Sequence, residues 1–429
     1  MTEQLIEKLD YQATFDCVQC GYCLPACPTY LAFKKEKHSP RGRINLVQMA
    51  AEGKIDIEDM REGIDLCLGC RACETVCPTN VRYGDILMSA VEVLKDNKKM
   101  SIFEKGLRTA AFKVVLKNKQ MLRLVNKGLY AYQITGVKRV VNRRNLLKPI
   151  EKYRDLNKAL PEVQLSKKLK NPSNPFRKSS MKIGFFQGCI MDVFFSRINH
   201  LAINILSEHG MEVTNIPSQT CCGALQHHAG EHDQTVELAK KNIEAYETYD
   251  FDYIVNTIGG CGATLKEYPK LFQEGTTWHQ RAVEFTAKLR DISELMAMVD
   301  LNFQYEIPKN AVFQPSCHLE NVQQVFDDPL NIIKSIPGLN YMELKDKSLC
   351  CGSAGVYNIL HFEESMQILD MKMKNIKVAR PELIITSNPG CHMQMQLGIE
   401  REGLSDTISV KHIVEVVAEA CGIQSAEKI

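Results

Sequence analysis

Cys17-Val18-Gln19-Cys20-Gly21-Tyr22-Cys23-Leu24-Pro25-Ala26-Cys27-Pro28 and Cys67-Leu68-Gly69-Cys70-Arg71-Ala72-Cys73-Glu74-Thr75-Val76-Cys77-Pro78 are two copies of one spacing, C-x2-C-x2-C-x3-C-P. Three thiolates at this spacing wrap one face of an iron–sulfur cube from a single tight loop, and the fourth, on the departing segment, reaches the neighbouring cube. The pattern assigns Cys17, Cys20, Cys23 and Cys77 to one 4Fe–4S cluster, and Cys67, Cys70, Cys73 and Cys27 to a second. Pro28 and Pro78 fix the backbone after each fourth cysteine. Gly21 and Gly69 leave room for backbone N–H groups to approach sulfur. Structural zinc knuckles are the bland alternative, but zinc needs four ligands and has no use for the doubled run.

Thirty-nine residues separate Cys27 from Cys67. Within them, Ser39-Pro40-Arg41-Gly42-Arg43 followed by Ile44, Leu46, Val47 and Met49 predicts a capped helix. The segment therefore resembles the helical two-cluster ferredoxin domain of respiratory enzymes rather than a free ferredoxin. Two adjacent clusters make a wire that moves electrons one at a time.

Further along, the chain repeats itself. Lys182 to Cys189 and Ala311 to Cys317 are short strands ending in a cysteine; the cysteines lie 128 residues apart. Cys221-Cys222-Gly223-Ala224 recurs 129 residues later as Cys350-Cys351-Gly352-Ser353. Tyr253 to Asn256 leads to Cys261, and Leu383 to Thr386 leads to Cys391, 130 residues later. Landmarks at nearly constant offset mean two copies of one α/β unit, with helices expected over Arg197–His209, Thr235–Thr248 and Glu364–Lys377 and cysteine loops at the ends of a mostly parallel sheet. Each copy assembles a quartet: Cys189, Cys221, Cys222 and Cys261, then Cys317, Cys350, Cys351 and Cys391. An adjacent Cys-Cys pair is strained as a disulfide but natural as a two-point cluster ligand, with Gly223 and Gly352 bending the turn. Buried free thiols are the bland alternative.

These quartets resemble the cysteine-rich CCG domain of heterodisulfide reductases and of iron–sulfur subunits in several respiratory dehydrogenases. The family pattern ends in C-x-x-C, whereas here the ends read Cys261-Gly262-Ala263-Thr264 and Cys391-His392-Met393-Gln394. The missing fifth cysteine counts against a larger noncubane cluster and leaves four thiolates, suited to a cubane. The order of two ferredoxin runs, a basic stretch and two CCG units resembles the iron–sulfur subunit family of glycolate oxidase across essentially the whole chain. The fold class expected is a multidomain α+β and α/β chain: a helical two-cluster domain over 1–95, a basic connector and linker over 96–180, and CCG units over 181–305 and 306–429. The resemblance implies two 4Fe–4S clusters and one or two further clusters at the CCG quartets. It also implies an FAD-containing partner that oxidises glycolate to glyoxylate, and quinone as acceptor. The iron–sulfur subunit of anaerobic glycerol-3-phosphate dehydrogenase and a heterodisulfide-reductase-like thiol/disulfide oxidoreductase are the alternatives.

Composition agrees with this class. Of 429 residues, 45% are hydrophobic and 24% charged, and the formal net charge is +2, which excludes a disordered chain. The odd count of 17 cysteines and the lack of an apolar leader stretch argue against a secreted disulfide scaffold, so a reducing cytoplasm is expected. No G-x-G-x-x-G follows a strand and no Walker motif appears, so hydride chemistry belongs to a partner and no catalytic residue is expected here. From Leu94 to Lys148, fifteen Lys or Arg face two acids, with apolar residues such as Leu122, Leu124 and Val125 at helical spacing. Such a stretch suits the cytoplasmic face of a membrane, a solvated connector or an acidic partner. Its sparse aromatics argue against nucleic acid.

Overall fold

A computed structural model describes residues 6–98, 101, 106, 108–143, 151–158, 160–165, 169 and 181–424. Within the expected connector and linker over 96–180, residues 170–180 lie outside the described residues.

The two cysteine runs sit in a helical region. The expected capped helix is present as Pro40–Ala51: Ser39 Oγ accepts from Gly42 N at 3.0 Å, and Pro40 occupies the first turn, where its missing N–H costs nothing. Its apolar face (Ile44, Val47 and Ala50) packs against Ile86, Ala90 and Val93 of the helix Tyr83–Asn97. That small core is fully dry at Val47, Ala90 and Val93, and it holds the two cysteine loops side by side.

The repeats form two separate four-stranded parallel sheets. Strands β1 (Met181–Phe185), β2 (Met211–Asn215), β3 (Tyr253–Asn256) and β4 (Leu289–Asp291) lie in the order β2-β1-β3-β4. Strands β5 (Asn310–Gln314), β6 (Asn340–Tyr341), β7 (Leu383–Thr386) and β8 (Ser409–His412) repeat it as β6-β5-β7-β8. Register is equivalent, with Gly184 opposite Ile254 in one sheet and Val312 opposite Ile384 in the other. The central strands are apolar on both faces, as a parallel sheet covered by helices requires. The helices Ser196–Glu208, His232–Glu247 and Phe362–Ala379 match the sequence expectation within a few residues. The strand ends of the two units face each other: Gly260 N donates to Asn388 Oδ1 at 3.2 Å, and His412 Nε2 lies 3.0 Å from Thr257 O.

The basic connector supplies the helices Lys119–Ile134 and Val137–Arg143. Several of its polar side chains are used within the chain. Arg108 pairs with Glu231, Lys117 with Glu237, and Asn126 Nδ2 donates to Val193 O at 2.7 Å. No helix among the described residues is long and apolar enough to cross a membrane.

Candidate metal centres

Each CCG unit builds its quartet from three places. Cys189 and Cys317 begin the short helices Cys189–Phe194 and Cys317–Asn321. Cys261 and Cys391 sit in the first turns of the helices Gly259–Lys266 and Pro389–Arg401, where the positive end of the helix favours a thiolate. The Cys-Cys pairs lie on turns closed by Gly223 at φ +87° and Gly352 at φ +91°. A Cβ on Gly352 would stand 3.0 Å from Ser365 O, so both backbone angle and space demand glycine.

The four thiols of each unit touch. Cys189 and Cys221 sulfurs are 3.6 Å apart, and Cys222 and Cys261 are 3.1 Å apart, well beyond a disulfide bond. All seventeen cysteines are free. Hydrogen bonds from the Cys189 and Cys222 thiols, with the Gly223 N–H, hold Cys221 well below the ordinary thiol range, despite burial. In the second unit, contacts run from Cys317 to Cys350, to Cys351 and to Cys391.

In the helical region, one hollow is lined by Cys17, Cys20, Cys23 and Cys77, and its neighbour by Cys27, Cys67 and Cys70; Cys73 borders both. The structure thus brings together both sets predicted from spacing. Burial raises Cys77, but the Thr79 hydroxyl and the N–H groups of Val81, Thr79 and Asn80 outweigh it and bring the thiol below its usual value. Those donors are the sulfur-directed groups that tune an iron–sulfur centre. Cys20 is exposed, whereas Cys27 and Cys73 are buried. Four thiols around each hollow, with donors aimed at sulfur, form a donor set that fits a cubane. Among the described residues, no three His, Cys, Asp or Glu side chains converge on a single ion.

The second CCG quartet abuts the second ferredoxin loop. Asn321 Nδ2 donates to Cys70 O at 2.8 Å, and His318 Nε2 lies 3.0 Å from Gly69 O. Cys70 and Cys317 pack together around Leu66, Leu68, Cys350 and Tyr357. His318 therefore clamps the two regions together, and it stacks on His228 at 5.3 Å. His392 instead packs on Phe195, and burial pushes it down to about 4. The first CCG unit meets the ferredoxin region through Glu267, which pairs with Arg71 and with Lys270 at 3.0 Å.

Arg43 is a residue whose importance sequence reasoning missed; it stood out only as part of a helix start. It is 1% exposed. Its Nε donates to Gly63 O at 2.6 Å, and Nη2 donates to Thr29 Oγ1 at 3.0 Å and Leu66 O at 3.2 Å; Nη1 lies 3.9 Å from Cys27 Sγ. Lys372, 0% exposed, is a second such cation: Nζ donates to Asp346 O at 2.5 Å and lies 3.6 Å from its carboxylate. Away from these centres, Cys421 is a buried thiol raised to about 11 by desolvation, and Trp278 packs under Arg281 at 3.9 Å.

Comparison with known proteins agrees with this geometry. Residues 13–81 match the family described as a 4Fe-4S dicluster domain, and residues 183–266 and 311–396 match the cysteine-rich domain called CCG. Residues 103–160 match the linker region of the glycolate oxidase iron-sulfur subunit. A probable glycolate oxidase iron-sulfur subunit from Bacillus subtilis is 40% identical over 97% of this chain and 96% of its own length. The glycolate oxidase iron-sulfur subunit of Escherichia coli is 28% identical over 94% of this chain and 93% of its own. Lactate utilization protein A of Shouchella clausii is 30% identical, over 55% of this chain and 98% of its own. A hypothetical protein from Helicobacter pylori shares the fold alone, at TM-score 0.50 and 12% identity, over 99% of this chain and 72% of that one. The chain carries 4Fe–4S clusters and belongs to the glycolate oxidase iron–sulfur subunit family, a component of an oxidoreductase complex.

Proposed function

We propose that this chain is the electron conduit of a 2-hydroxy-acid dehydrogenase complex, with glycolate, oxidised to glyoxylate, as substrate. An FAD-containing subunit oxidises the hydroxy acid, and this chain carries the electrons onward towards quinone. Cys17, Cys20, Cys23 and Cys77 hold one cluster; Cys27, Cys67, Cys70 and Cys73 hold the next; each CCG quartet holds a further one. These clusters supply one-electron chemistry when bound, and the chain's own residues fix their spacing and surroundings. The observation that carries this reading is contiguity: Cys70 and Cys317 pack against one apolar cluster that includes Cys350, and Asn321 Nδ2 donates to Cys70 O, which supports a wire that continues out of the ferredoxin region into the second CCG unit. The names of the relatives support glycolate over glycerol 3-phosphate.

The connector favours a peripheral position on the cytoplasmic membrane face. Leu124 and Ile134 are 60% and 63% exposed, with Val137 and Val140 beside them, among exposed Lys127, Arg139 and Arg143. Apolar side chains ringed by cations suit an anionic lipid surface.

The test uses the full chain with its flavoprotein partner. Cys391→Ser is expected to leave flavin reduction by substrate intact and to abolish reduction of a soluble quinone analogue. Undiminished quinone reduction would overturn the route through the second CCG unit.

A further inference from the structure

We infer that Arg43 is the counter-charge that makes the buried Cys27/Cys67/Cys70/Cys73 centre reducible. The inference rests on the ligand assignment proposed above. Reduction adds one electron, and so one negative charge, to a site whose thiolates already make it anionic. Around the Cys17/Cys20/Cys23/Cys77 centre, water at exposed Cys20 absorbs part of that charge. The second centre lacks this help: Cys27 is 6% exposed, Cys73 8%, and the CCG unit covers Cys70. Burial alone would therefore make the second centre the harder of the two to reduce, and the wire would stall.

Arg43 removes that barrier by its placement. It lines the same hollow as Cys27, Cys67, Cys70 and Cys73, with Nη1 3.9 Å from Cys27 Sγ, and among the described residues no carboxylate comes within ion-pair distance of it. Its hydrogen bonds go to two carbonyls and one hydroxyl, leaving the full positive charge in place. A guanidinium is costly to bury without an anion, so the thiolates and the charge they hold are its partner. In a dry site that attraction is strong and insensitive to salt. Glu74, whose carboxylate acts on Cys73, is itself tied to Arg71 at 2.7 Å. The first centre has an arginine too, but Arg41 is neutralised by Glu36 at 2.6 Å, and that carboxylate is 52% exposed.

The test is a redox titration of anaerobically purified full-length protein, read by EPR. Arg43→Gln is expected to lower the midpoint of one of the two dicluster signals and leave the other in place. The reduced-to-oxidised ratio at the wild-type midpoint should fall at least about tenfold, or about 59 mV for one electron. Arg43→Lys, which keeps the charge, should stay near wild type. An Arg43→Gln protein with both signals intact and neither midpoint moved would overturn the inference while leaving the ligand assignment standing. Absence of any dicluster signal in wild type would instead overturn the assignment. If Arg43→Gln does not assemble, Glu36→Gln serves: freeing Arg41 should raise the first centre's midpoint at low salt and less at high salt, and no change would refute the electrostatic rule.

Discussion

The two CCG units share a fold, a cysteine quartet and a glycine-closed turn, yet they surround their thiols differently. The long helix that follows each Cys-Cys turn begins at His232 in one unit and at Phe362 in the other. At that offset of 130, Asn242 corresponds to Lys372. Asn242 is neutral: it accepts from Thr220 N at 2.8 Å and donates to Cys221 O and to the Tyr268 hydroxyl. Lys372 is a buried cation beside Cys350 and Cys351; burial pulls its pKa down, and Asp346 with those thiols pulls it back. The unit with the cation is also the one seated on Cys70. A repeat can thus keep its cysteine quartet and change the electrostatics around it.

The comparison can be broken most sharply by exchanging these residues. Lys372→Asn makes the second unit resemble the first. It should destabilise the protein by about 3 kcal/mol, because Asp346 loses its buried partner, and urea denaturation would measure this. EPR titration of the same variant should show one centre harder to reduce, and an unmoved set of midpoints would mean that Lys372 serves packing alone.

A smaller effect is expected where the first unit docks. Glu267 is pulled down to about 2: burial opposes this, but Arg71 and Lys270 prevail. Glu267→Gln should weaken that contact by roughly 1 kcal/mol, since the pair is partly solvated. Hydrogen exchange should rise around 227–232 and not around Asn321. Equal protection in both places would show that the two units dock alike.

Cys421→Ser should change least. It lies outside both quartets, so iron content should equal wild type, and a loss of iron would redraw the ligand sets.

Much of this was legible in the sequence because cluster ligation imposes fixed spacing on the chain. The paired runs from Cys17 and Cys67 gave the helical region and both thiol sets that the structure brings together. The offsets linking Cys221 to Cys350 and Cys261 to Cys391 gave the tandem sheets. Edge strands such as β4 and β6 were not legible, being only three and two residues long. Arg43 and Lys372 were missed for a different reason. A basic residue in a helix reads as solvated, and only tertiary packing shows that its charge faces sulfur. The same packing turned His318 from a neighbour of Cys317 into a clamp on Gly69.

The most direct test of the account is metal and sulfide analysis of anaerobically prepared protein, combined with EPR after reduction. The expected result is iron and acid-labile sulfide in nearly equal amounts, at least about eight of each per chain for the two dicluster centres, and signals that appear on reduction. Stoichiometric zinc without sulfide would contradict it.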